Sequence, residues 1–209
     1  LFLAAHCMHI TETRTIRKES ITAMLGGLNI SNLNDKRWIR REISKMHLHP
    51  DFYSDTESML KRYDADIAVL KLSSEVPRNS LTRVICLPSA TSSVDGIYGS
   101  VVGHGHNEMG QLEEIPKFIS ISSISWQKCI FKDERYVNYL SNRGFCAGEI
   151  GKIPCMGDSG GGFYVYFNDQ WHIYGIVSAA LQHDSGQCDE TKRTIFTNVA
   201  NFVDWVKEK

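Results

Sequence analysis

The chain has 209 residues, 42% of them hydrophobic and 22% charged, and a formal net charge of −1. That balance fits an ordinary globular protein of one large domain or two small ones, long enough to bury a core without a metal. It gives no electrostatic ground for nucleic-acid binding, and no segment is apolar over the length a bilayer needs, so neither nucleic acid nor membrane is an expected partner.

The sequence opens Leu1-Phe2-Leu3-Ala4-Ala5-His6-Cys7. This apolar run is too short to span a membrane and lacks the charged leader of a signal peptide, so it is read as the middle of a strand and the chain as starting inside a domain. Asn29-Ile30-Ser31 is a glycosylation sequon. Lys36-Arg37-Trp38-Ile39-Arg40-Arg41 is a dense basic cluster; a solvated loop or strand edge is the favoured reading over an anionic exosite.

Short strand-like runs follow: Ile67-Ala68-Val69-Leu70, then residues 100–102, 118–121, 162–167 and 173–179, separated by Gly, Asn, Asp, Pro and Ser clusters. That is the pattern of an antiparallel sandwich or barrel. Residues 77–98, with Pro77, Pro88 and the Ser/Thr-rich stretch 89–93, form a connector between two halves. A short helix is expected over 125–131. A terminal helix is expected over 197–209, where Val199, Phe202, Val203 and Val206 recur at helical spacing.

The six cysteines are Cys7, Cys86, Cys129, Cys146, Cys155 and Cys188. None has zinc-site spacing, so no metal is expected. An even count then favours disulfides and an extracellular chain, while spacing alone leaves their connectivity open.

Three short motifs carry chemistry. Gly157-Asp158-Ser159-Gly160-Gly161-Gly162 offers a serine in a glycine-rich turn. A nucleophilic serine needs an exposed hydroxyl and nearby backbone N–H groups aimed at the developing oxyanion, and glycines allow that tight turn. Ala4-Ala5-His6-Cys7 puts a histidine at the end of an apolar strand. In Asp64-Ala65-Asp66-Ile67-Ala68-Val69-Leu70, Asp66 adjoins the buried run, so it fits better than Asp64 as the carboxylate that orients an imidazole.

These motifs, in the order His, Asp, Ser, resemble the chymotrypsin-like (trypsin-fold) serine proteases. The resemblance extends through Val84-Ile85-Cys86-Leu87-Pro88, Phe145-Cys146-Ala147-Gly148 and Gly175-Ile176-Val177-Ser178. It implies an all-β fold of two antiparallel six-stranded Greek-key barrels, the first incomplete, with a C-terminal α-helix. The expected division is 1–80 for the truncated first barrel, 81–98 for the connector, 99–196 for the second barrel and 197–209 for the helix. It implies a catalytic triad of His6, Asp66 and Ser159 and an oxyanion hole from the N–H groups of Gly157 and Ser159. Ser178 would help hold Asp66, and Ser178-Ala179-Ala180 would pair with substrate. Disulfides Cys129–Cys146 and Cys155–Cys188 are implied, with Cys7 and Cys86 free in this stretch. No cofactor is implied. The implied partners are a protein or peptide substrate, a proteinaceous inhibitor, and an upstream pro-region or light chain reached through Cys86.

Departures narrow the expectation. In such proteases a newly freed N-terminal amine pairs with the residue corresponding to Asp158, yet Leu1 stands five residues before His6, so residues 1–209 alone are expected to be inactive and poorly stable. Ile153 occupies the pocket-floor position where trypsin-like members carry Asp, and Ala180 and Thr194 replace the usual wall glycines. A cationic P1 side chain would lack a partner, so small or medium apolar P1 residues are expected. Ala179 replaces a Trp, and Asp35 alone cannot supply a calcium site. Cys86, with Gly99 and Val165 where a disulfide is missing, loosely resembles the modular and clip-type proteases of arthropod cascades. The expected function is therefore a secreted, glycosylated serine endopeptidase made as a multidomain zymogen. The alternative is a catalytically weak binding or regulatory module.

Overall fold

The computed structural model describes residues 1–11, 14–52, 63–106 and 111–209. The strands are β1 (Phe2–Leu3), β2 (His9–Thr11), β3 (Arg14–Thr15), β4 (Thr22–Leu25), β5 (Ile39–Leu48), β6 (Ala68–Leu72), β7 (Tyr98–Gly103), β8 (Lys117–Ser125), β9 (Gly144–Ala147), β10 (Gly162–Phe167), β11 (Gln170–Ala179) and β12 (Thr194–Asn198). Among the described residues, two short α-helices, α1 (Trp126–Lys132) and α2 (Val203–Lys207), and several 3₁₀ turns accompany the strands.

The first half forms a curled antiparallel sheet in the order β1-β6-β5-β4, with β2 and β3 as a separate pair. The second half closes completely, in the order β10-β11-β12-β9-β8-β7. Closure removes the unpaired edges that an open sheet leaves exposed. This is the expected trypsin-type architecture: one closed six-stranded barrel, one incomplete barrel and a C-terminal helix.

The closed barrel is filled by Phe145, Phe163 and Phe196, with Val101, Ile121, Ala147 and Val177 around them. Phe145 stacks on Phe196 at 5.2 Å and meets Phe163 edge-on at 5.5 Å. Full burial of each ring contributes about 2–3 kcal/mol. A second cluster seals the seam between the halves: Ala4, Ala65, Ile67, Ile173, Ile176, Val199 and Phe202. Ala4 stands two residues before His6 and Ala65 directly before Asp66, so this seam fixes how the two chemical motifs face each other.

Two element ends differ from the sequence expectation. The terminal helix does not begin at Thr197, because Thr197 is held in β12, paired with Gly144 and Ile176. The turn starts at Asn198, whose side chain accepts the N–H of Ala200 at 3.2 Å, and α2 begins only at Val203. The basic cluster runs straight into β5, where exposed Arg40 and Glu42 alternate with half-buried Arg41 and buried Ile43.

Candidate active site

His6 lies in a 3₁₀ turn (Ala5–Met8) directly after β1. Its ring meets Tyr63 edge-on at 5.8 Å. The backbone N–H of His6 donates to Asp66 Oδ1 at 2.8 Å, and Nδ1 lies 2.7 Å from Oδ2. Asp66 is fully buried. A buried carboxylate is costly unless its lone pairs are satisfied, and here a third donor, Ser178 Oγ, reaches Oδ2 at 2.6 Å. Thr197 Oγ1 donates to the Asp66 carbonyl at 2.9 Å.

The aim of Ser178 follows from a bulge. Val177 pairs with Phe196 and Ala179 with Ile195, so Ser178 is the extra residue between them. A bulge re-aims a side chain in this way. Burial by itself pulls the His6 pKa down. The hydrogen bond and charge of Asp66, with the Cys7 sulfur 3.6 Å from Nε2 acting in the same sense, outweigh it and hold the imidazole above its ordinary value.

Ser159 sits exposed in a turn between Gly157 (φ +90°) and Gly160 (φ +83°). Those left-handed conformations suit glycine. Within residues 157–161, Asp158 donates to the Cys155 carbonyl, Gly160 to Val177 and Gly161 to Asp158. The N–H groups of Gly157 and Ser159 have no acceptor among the described residues. Two free donors flanking an exposed serine can hold a developing oxyanion.

His6, Ser159 and Ser178 line one cleft of about 570 Å³, together with Ala179, Ala180, Pro154 and Thr194. None of its described lining residues is a carboxylate. Thr194 is fully buried, and its hydroxyl donates to the Pro154 carbonyl at 2.7 Å. Pro154, next to the expected floor residue Ile153, lines both this cleft and its neighbour. Ile153 lines that neighbouring, smaller cavity of about 150 Å³ beside Asp158, with Val101, Gly103 and Gly105. A Cβ on Gly148 would come within 2.7 Å of Ile153 Cγ2, so the isoleucine fills the space beside that glycine.

Asp158 accepts the N–H of Gly105 at 3.0 Å and of Cys155 at 3.1 Å. The approach is tight enough that a Cβ on Gly103 or Gly105 would lie 2.1 or 2.4 Å from a carboxylate oxygen. Disulfides join Cys129 to Cys146 and Cys155 to Cys188, while Cys7 and Cys86 are free. Asp35 is engaged by Arg37, whose Nε lies 2.9 Å from Oδ2. No group of three potential metal ligands occurs among the described residues, nor does any helix among them have the length and apolarity to cross a membrane.

Sequence reasoning missed one cluster beside the site. Asp64 is gripped by the Arg143 guanidinium, with Nε at 3.1 Å from Oδ1 and Nη2 at 2.5 Å from Oδ2. Ser141 Oγ also donates to Oδ1. Nothing in the local sequence joins positions 79 residues apart.

Comparison with known proteins agrees with the fold. The family model described as Trypsin matches residues 3–206. Serine protease gd of Drosophila melanogaster is 28% identical over 239 aligned residues, covering 97% of this chain and 44% of that protein. Ovochymase of Halocynthia roretzi is 28% identical over 171, covering 78% of this chain and 10% of that protein. The chain thus spans less than half the length of these relatives.

Proposed function

The chain belongs to the trypsin family of serine proteases, and from that premise we propose that it hydrolyses peptide bonds through His6, Asp66 and Ser159. The observation that carries this reading is the buried Asp66 carboxylate bonded to His6 Nδ1 at 2.7 Å, with Ser159 in the same cleft. Ser159 Oγ attacks the scissile carbonyl carbon while His6 Nε2 takes its proton. The carbonyl electron pair moves onto oxygen, where the N–H groups of Gly157 and Ser159 receive it; each such donor is worth about 3–4 kcal/mol in comparable sites. Collapse breaks the C–N bond, and the leaving amine takes from His6 the proton that came from Ser159. Water then repeats the sequence on the acyl-enzyme.

Ala180 and Thr194 narrow the cleft, and the absence of a carboxylate among its described lining residues supports a small or medium apolar P1 side chain over Arg or Lys. The chain acts outside the cell as part of a longer zymogen. The cavity beside Asp158 receives the amine freed on activation, and Cys86 ties the chain to an upstream segment. The two disulfides support the extracellular setting.

Labelling of Ser159 by a fluorophosphonate in the activated full-length protein, followed by a peptide library, tests this. Labelling with apolar P1 turnover is expected. No labelling would favour a binding or regulatory module, and a strong Arg or Lys preference would overturn the specificity.

A further inference from the structure

Asp66 follows directly on a strained residue. Ala65 is buried and has φ +51°, a left-handed conformation that costs any residue with a Cβ. Such a conformation persists only where its surroundings hold it. Behind Ala65, the N–H of Ile67 donates to its carbonyl at 2.7 Å, the closing bond of a tight turn.

In front of it, Asp64 is fastened to the other half of the molecule. Arg143 precedes β9, and its carbonyl accepts the N–H of Asn198 at 2.9 Å, which anchors it to the closed barrel. Its guanidinium grips Asp64 through two nitrogens at 3.1 and 2.5 Å. The remaining nitrogen, Nη1, donates to Asp51 Oδ2 at 2.6 Å, and the guanidinium carbon lies 5.4 Å from the centre of the Phe202 ring. A planar fork held on three sides fixes direction as well as distance.

We infer that the Asp64–Arg143 pair is a clasp that holds Ala65 in its left-handed turn and so positions the Asp66 carboxylate against His6. Asp64 and Arg143 are positioning residues: neither is bonded to His6, and Arg143 does not line the cleft. The inference rests on the triad reading above. Released from the clasp, Ala65 relaxes towards an ordinary backbone conformation, and Asp66 loses its alignment with Nδ1 of His6.

The test uses the activated full-length protein and the variants Arg143→Ala, Arg143→Lys, Asp64→Asn, Ala65→Gly and Arg143→Ala/Ala65→Gly. Two signals are read: the rate of fluorophosphonate labelling at Ser159, and the far-downfield proton resonance of the His6–Asp66 bond, which needs no turnover. Arg143→Ala should slow labelling about tenfold or more and broaden or shift the resonance, since small misplacements of catalytic groups carry penalties of that order. Arg143→Lys should resemble it, because a point charge cannot replace the fork. Ala65→Gly alone should stay near wild type. Added to Arg143→Ala, it should restore both signals in part, because glycine takes the left-handed turn without strain.

A generally loosened structure would not be rescued by adding a glycine. Wild-type labelling and resonance in folded Arg143→Ala, or no recovery in the double variant, overturns the clasp. Where Arg143→Ala does not fold, Asp64→Asn, with and without Ala65→Gly, carries the same test. Failure of the wild type to label would count against the protease reading, while the resonance still decides on the clasp.

Discussion

Ser178 and His6 share one acceptor: Ser178 Oγ and His6 Nδ1 both meet Oδ2 of Asp66, at 2.6 and 2.7 Å. The serine is buried, so no water readily takes its place. Removing a hydrogen bond to a buried charge typically costs about 1.5–3 kcal/mol. Ser178→Ala should lower the unfolding free energy by about that amount and reduce kcat/KM as the carboxylate loses one of its fixed directions. Chemical denaturation and steady-state kinetics on the activated full-length protein check both. Unchanged values would mean that His6 alone holds the carboxylate.

The His6 imidazole is held above its ordinary value because Asp66 outweighs the opposing effect of burial. A base must be neutral to accept a proton. The acid limb of kcat/KM should therefore rise with pH to a midpoint above about 6.5, the value of a free histidine. The same shift has a stability consequence of definite sign. The folded state binds the His6 proton more tightly than the unfolded one, so this contribution is complete below the unfolded value and is lost as pH rises through the folded value. Asp66→Asn should move the His6 titration downward, followed by the imidazole carbon-bound proton in NMR. A titration unchanged in Asp66→Asn would remove Asp66 as the cause.

Thr194 is among the residues that line the cleft, and its hydroxyl is bonded to the Pro154 carbonyl. Thr194→Gly removes that side chain and deepens the pocket. Relative kcat/KM for large apolar over small P1 residues should rise about tenfold or more, the scale on which a few methylene-sized contacts discriminate. P1 Arg should remain poor, since the substitution adds no carboxylate. A matched peptide series with Ala, Leu, Phe and Arg at P1 measures this. An unchanged ranking would place the discriminating contacts elsewhere in the cleft.

Much of the arrangement was legible where chemistry is local in sequence. The apolar run 162–167 became β10 with the same ends, because turn residues flank it on both sides. The Ser159 turn was legible from its glycines, and two of its residues do carry positive φ. Strand β5 was hidden, because its alternation passes through Arg40, Arg41 and Glu42 and reads first as charge. Ile153 was placed by register alone, which fixes a position in a loop but not which cavity its side chain lines. Arg143 was invisible, since its partners Asp51 and Asp64 stand on the other half of the molecule. The strain at Ala65 was hidden for a related reason: only a tertiary restraint puts an alanine in a conformation its own sequence disfavours.

Gly103 offers a sharper test of the turn around Ser159. A Cβ there would lie 2.1 Å from Asp158 Oδ1, a distance no relaxed contact tolerates. The strand end at Gly103 is fixed by its pairing with Lys117, so the Asp158 carboxylate is the part that must move. It then gives up the N–H groups of Gly105 and Cys155, which hold the residue directly before Ser159. Displacing Asp158 shifts the backbone on both sides of it, which carries the N–H groups of Gly157 and Ser159. Losing one oxyanion donor costs about 10²–10³ in rate, and Gly103→Ala disturbs both at once. Fluorophosphonate labelling of Ser159 should therefore fall by at least about a hundredfold. The His6–Asp66 proton resonance should persist, because the groups bonded to Asp66 from the second half, Ser178 and Thr197, are not bonded to Asp158. Loss of labelling together with the resonance would instead mean general unfolding, and normal labelling would mean that the oxyanion donors do not depend on Asp158.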